Sequence, residues 1–205
     1  MNLQEALAEL RKLEKRKFDQ SIDLIINLKG IDIKRDNVST VVSLPNKIKD
    51  KRVCGFLTKK SEHVKSITQP EFAKYKDKKE LKNLVKDFDF FIAAAPLMPS
   101  VATTFGKVLG PVGKMPSPQL GILMQENENA IAELVTRIST SEKIRLKEPS
   151  LKISIGKESM KDEQIIANAT AMFNGLVSAL PTKKENVKNV SIKLTMSKPI
   201  KVEIK

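Results

Sequence analysis

The chain has 205 residues, enough for one large domain or two small ones that each bury a core. Apolar residues make up 40% and charged residues 30%, which sets a folded protein ahead of a disordered one. A net charge of +13 points to a polyanionic partner, and nucleic acid is the commonest of these; a merely lysine-rich surface is the alternative.

Residues 3–16 have the spacing of an amphipathic helix, with Leu3, Leu7, Leu10 and Leu13 near one face and Asn2 and Glu5 placed as a capping pair. From Ser21 to Lys29 the period becomes two, because Ile22, Leu24, Ile26 and Leu28 alternate with Asp23, Ile25, Asn27 and Lys29. That pattern predicts a strand with one buried face. A polar connection from Gly30 to Asn37 leads to a second short strand, Thr40 to Leu44, stopped by Pro45.

A lysine-rich linker then precedes an apolar strand, Val53 to Leu57. A mixed helical stretch, a loop at Pro70 and a charged run from Lys74 to Lys86 lead to a second buried-type strand, Phe88 to Ala93. Apolar runs alternating with helical segments predict a small α/β unit on a parallel sheet. Residues 99–109 read as helix, running into a Gly/Pro-rich loop from Gly110 to Pro118; residues 126–138 read as a further helix. Past Pro149, Leu151, Ile153 and Ile155 mark a strand, and residues 162–180 carry the clearest helical stripe in the chain. Val190 to Met196 and Ile200 to Ile204 then alternate as two strands around a tight turn, a C-terminal hairpin.

Neither the first 47 residues nor the last 58 hold enough elements for a domain; together they supply two helices and about five half-buried strands. The expected organisation is therefore a discontinuous α+β sandwich from residues 1–47 and 148–205, with residues 48–147 inserted as an α/β domain. Charge does not separate the two, at +6 for the ends and +7 for the middle.

Several chemistries lack their residues. With His63 as the single histidine and Cys54 as the single cysteine there is no pair for a zinc site and no internal disulfide, which suits a reducing compartment. His63 falls in what reads as an exposed helical stretch, away from any triad spacing. No cofactor or metal is expected. The longest apolar run, Phe90 to Pro99, is too short and too broken by proline to span a bilayer, and the N-terminus opens without a targeting pattern. No Trp, one Tyr and eight Phe, without basic residues interleaved on a strand, argue against a base-stacking sheet and for structured RNA. The stretch Gly106 to Met115 fails as a Walker loop because Val108 and Met115 stand where Gly and Ser or Thr are needed. Gly110-Pro111-Val112-Gly113 keeps two readings, a structural turn or a short clamp on RNA backbone. A nucleotide-dependent enzyme built on the inserted unit is the rival reading, weakened by the missing phosphate loop.

Three stretches carry a resemblance. They are Lys17-Phe18-Asp19-Gln20-Ser21-Ile22-Asp23 with Val38, Val41 and Ser43-Leu44-Pro45; Lys107 to Pro116; and Lys193-Leu194-Thr195-Met196. In that order they resemble the L-one family of large-subunit ribosomal proteins, and the Gly-Lys-Met-Pro ending of the central stretch is similar to its archaeal form. The resemblance implies a terminal-segment RNA-binding domain with an inserted Rossmann-like, three-layer α/β domain joined by a hinge. It implies no enzyme, and a cytoplasmic, ribosome-associated protein, monomeric when free and without a membrane role. The implied partners are the rRNA of the mobile side stalk, exit-site tRNA whose release it assists, and its own mRNA, which it represses. The implied rRNA contacts are Lys17, Phe18, Ser21, Lys193, Thr195, Met196 and Ser197, with Lys107, Gly110, Gly113 and Lys114 as a possible tRNA- or RNA-facing loop. On residue character alone, the packing reading is the favoured one, with Phe18 capping the core beneath the first helix and Met196 pointing inward in the hairpin. The chain departs from the family pattern at Ser197, where Gly is usual, and at Val112, where Arg is usual.

Overall fold

A computed structural model describes residues 1–13, 16–32, 38–118 and 120–204. In chain order its elements are α1 (Leu3–Arg11), β1 (Ser21–Leu28), β2 (Ser39–Ser43), β3 (Val53–Phe56), β4 (Lys65–Ile67), α2 (Lys78–Asp87), β5 (Phe90–Ala94), α3 (Met98–Val112), β6 (Ile122–Leu123), α4 (Glu128–Thr140), β7 (Ser141–Arg145), β8 (Ser150–Lys157), α5 (Asp162–Ala179), β9 (Val187–Leu194) and β10 (Ile200–Val202). They form two compact units, Met1–Ile48 with Thr140–Lys205, and Lys49–Ser139.

The terminal unit is built on a four-stranded antiparallel sheet ordered β10-β9-β1-β8. The period-two pattern of β1 is realised residue by residue, with Ile22, Leu24, Ile26 and Leu28 buried. Val190, Ile192 and Leu194 of β9 and Leu151 and Ile155 of β8 join them in one core with Leu3, Leu7 and Leu10 of α1 and the stripe of α5. Each such fully buried aliphatic side chain is worth roughly 1.5–3 kcal/mol of transfer free energy. The capping pair forms as expected, since Asn2 Oδ1 accepts from the Leu3 N–H (2.8 Å) and the Glu5 carboxylate accepts from the Asn2 N–H (3.1 Å).

β2 and β7 form a separate antiparallel ribbon packed on α5. β7 follows α4 without a linker, and its sequence Ser-Glu-Lys-Ile-Arg has one apolar residue, so no periodicity announces it. Its pairing with β2 places it in the terminal unit, not in the central segment expected to run to residue 147.

The second unit is a parallel sheet ordered β4-β3-β5-β6. Cys54 and Phe56 of β3 and Phe91 and Ala93 of β5 share a core with α2 and α3, while Val53, Leu57 and Ile92 are buried as well. Phe56, Phe72 and Phe105 meet at 4.7–5.7 Å between ring centres, so these aromatics are spent on packing. Burial pushes the Cys54 thiol up to about 12, which makes it inert at neutral pH.

Four expectations change. α1 ends at Arg11, whose guanidinium bonds the Asp162 carboxylate (2.7 Å) and the Met160 carbonyl (2.7 Å); Leu13 is 48% exposed and leaves the buried stripe. Residues 14 and 15 of the expected helix and 33–37 of the expected connection lie outside the described residues. His63 lies in a bend before β4, not in a helix. α3 runs on through Gly110-Pro111-Val112. It stops at Gly113 (φ 78°), where the Gly113 N–H bonds the Gly110 carbonyl and the Lys114 N–H reaches back to the Leu109 carbonyl, both at 3.0 Å. That left-handed glycine stop satisfies the last carbonyls of the helix. Lastly, Ile192 pairs with Ile200, so the C-terminal hairpin closes through a wider connection than a tight turn.

Candidate nucleic-acid interface

The first and third motifs meet at one end of the antiparallel sheet. β1 begins at Ser21 and β9 ends at Leu194, so antiparallel pairing brings Ser21 beside Thr195. The Thr195 N–H donates to the Ser21 carbonyl (3.1 Å). The Thr195 hydroxyl accepts from the Ser21 N–H and donates to the Ser21 carbonyl, each at 3.2 Å. This clasp uses the hydroxyl proton and one lone pair, leaving a second lone pair on an exposed oxygen. Thr195 can therefore accept from a 2′-hydroxyl, whereas donation to a phosphate oxygen would require the clasp to open.

Two residues inside the first motif hold its exposed start in place. The Asp19 carboxylate accepts from the Ser159 N–H (3.0 Å) and hydroxyl (2.9 Å). Gln20 is almost fully buried; its Oε1 accepts from the Met196 N–H (3.3 Å) and its Nε2 donates to Glu158 (3.2 Å). Gln20 thus ties the β9–β10 connection to the end of β8. Its polarity hid this role, because a buried amide with both ends engaged has no sequence signature beyond the motif itself.

Lys17 is exposed, Phe18 is 53% exposed and Met196 65% exposed, which excludes the inward-packing reading of the two apolar side chains. Ser197 does not sit at positive φ; among described non-glycine residues only Lys183 does. Serine in place of the family's usual glycine therefore carries no left-handed backbone strain here. Instead Ser197 Oγ accepts from the Leu194 N–H at 2.8 Å and helps close the turn. Lys193 stands opposite Asp23 across the β9–β1 pair. Burial raises the Asp23 carboxyl above its ordinary range, with the Lys193 charge pulling it partly back.

The central motif lies in the other unit. Lys107 and Gly110 are on α3 and not in a loop, and only Gly113 and Lys114 fall past its end. The Lys114 ammonium donates to the carbonyls of Val85 (2.8 Å) and Phe88 (2.7 Å), closing the C-terminal end of α2, so it is engaged within the unit. No group of three or more His, Cys, Asp or Glu is placed to hold a metal ion among the described residues.

The family model for the ribosomal protein L1p/L10e family matches residues 10–198. The chain belongs to that family. It is 36% identical to the large ribosomal subunit protein uL1 of Methanothermococcus thermolithotrophicus over 98% of each chain. It is 38% identical to that of Methanococcus vannielii over 95% of this chain and 94% of the relative. It is 34% identical to that of Methanocaldococcus jannaschii over 98% of this chain and 94% of the relative. As an L1-family member of archaeal type, the chain is a structural protein of the large ribosomal subunit and not an enzyme. No helix among the described residues is long and apolar enough to cross a membrane.

Proposed function

We propose that the terminal unit of this L1-family chain binds the folded rRNA of the large subunit's side stalk at the Ser21–Thr195 end of its sheet. The observation that carries this reading is the exposure of Phe18 and Met196 in the two segments that the Ser21–Thr195 bonds hold together. Large apolar side chains held out by fixed backbone cover sugar or base surface and exclude water from neighbouring hydrogen bonds. Lys17 supplies charge neutralisation, and Thr195 supplies an acceptor for a 2′-hydroxyl. Through the stalk the protein assists release of exit-site tRNA in the cytoplasm. It also represses its own mRNA by binding an element that copies the rRNA site. Both roles follow from the family resemblance.

The test compares binding of the purified protein to a stalk rRNA fragment and to a scrambled hairpin of the same length at the same salt concentration. Preference for the stalk fragment supports specific recognition; equal binding would sink it. Addition of the protein to a reporter carrying the leader of its own message should lower translation of that reporter and not of a leader-free one.

A further inference from the structure

Between the end of α1 and the β9–β10 connection the terminal unit carries a groove of about 450 Å³, inside the roughly 300–1,000 Å³ range of small-ligand sites. Leu13, Leu194, Met196 and Ile200 form its apolar wall. Arg16 and Lys198 also line it, and no carboxylate does so among the described residues. Leu13 is the residue that drops out of the α1 stripe when the helix stops at Arg11; it is 48% exposed here beside Met196 at 65%. Gln20, fixed at both ends, also lines the groove.

An apolar peptide side chain would use the wall and leave the cations idle, and a bare phosphate would do the reverse. A nucleotide swung out of its stack uses both, with a flat apolar base and an anionic phosphate. We propose that this groove receives one unstacked nucleotide of the bound RNA, its base against Leu13, Met196 and Ile200 and its phosphate on Arg16 or Lys198. The inference rests on the RNA-binding reading above and adds the burial of one whole base to its surface contacts.

The test has two arms on the full chain. In the first, adenosine and uridine 5′-monophosphate are titrated into methyl-labelled protein. Shifts confined to Leu13, Leu194, Met196 and Ile200, absent with ribose 5-phosphate, are the expected result. Equal shifts with ribose 5-phosphate would reduce the site to a phosphate contact, and equal shifts with N-acetylleucine methylamide would make it a generic apolar groove; either overturns the proposal. In the second arm, Leu13→Ser should weaken stalk-fragment binding about tenfold, the order expected for losing an aliphatic side chain that is covered on binding. The salt slope should be unchanged and Leu13→Met should bind close to wild type. If Phe18→Ala loses affinity while Leu13→Ser does not, the groove proposal falls and the RNA-binding reading stands. If both variants bind like wild type, the reading falls and the proposal with it.

Discussion

The hydroxyl of Thr195 closes both sides of the Ser21 backbone, taking its N–H and giving to its carbonyl at 3.2 Å each. The residue that follows β9 thereby fixes the residue that begins β1, although the two lie 174 positions apart in sequence. The same geometry leaves one outward lone pair on an oxygen that has no proton left to give. It favours a partner rich in 2′-hydroxyl donors, which is a property of RNA and not of DNA.

One 2′-hydroxyl of the stalk should therefore matter through Thr195. Single 2′-deoxy substitutions scanned along the contacted strand are expected to find a position costing about 0.5–1.5 kcal/mol with wild-type protein. With Thr195→Val that position should cost nothing further, since the acceptor is gone. A deoxy effect of the same size in both proteins would separate Thr195 from the sugar.

Packing of α5 on the β2–β7 ribbon depends on Gly175. A Cβ there would lie 2.4 Å from Val42 Cγ2 and 2.8 Å from Cγ1, far inside contact distance. Gly175→Ala gains roughly 0.5–1 kcal/mol of helix propensity and meets an overpacking cost of about 1–3 kcal/mol. Thermal unfolding should show net destabilisation, and Gly175→Ala with Val42→Ala should recover part of it. A more stable single variant would mean that the ribbon yields.

Asn168 is the fully buried polar residue of α5. Its Oδ1 accepts from the Asn46 N–H (3.0 Å), and its Nδ2 donates to the carbonyls of Asn46 (3.1 Å) and Ile155 (2.9 Å). Asn168→Leu leaves those backbone groups without their partner, at about 1–3 kcal/mol for each buried group. Denaturant titration should show a loss at or above the middle of that range, with the m-value unchanged. Near-wild-type stability would show that water replaces the amide.

The strands with clean alternation are legible from the residues alone, β1 above all, because strict period two over eight residues matches a half-buried strand and no helix. What escapes such reading is short or polar. β4 and β6, at three and two residues, are too brief to show a period, and β7 has one apolar residue among five. Gly110 and Pro111 suggest a break in the chain, yet they sit in the last turn of α3, where helical carbonyls already look beyond the helix for partners. Of the candidate interface, Lys17, Phe18, Thr195 and Met196 are singled out by the family motifs; Asp19 and Gln20 lie in the same first motif, but their anchoring role shows only in their bonds to Ser159, Glu158 and Met196.

Asp23 gives a pH signature. Burial raises its folded-state pKa, so protonation favours the native state. The contribution is complete below the unfolded value and is lost as pH rises through the folded one. Asp23→Asn should therefore be more stable than wild type near pH 7, with the advantage shrinking toward pH 3. An advantage that grows on acidification would reverse the sign assigned to burial.

Specific RNA recognition at the Ser21–Thr195 end of the terminal unit is to be read from stalk-fragment binding by wild type, Thr195→Val and Phe18→Ala over a salt series. A loss of about 1–3 kcal/mol is expected in each variant, with a salt slope close to that of wild type. Variants that bind like wild type, with all affinity vanishing as salt rises, would contradict it and leave only a polycation.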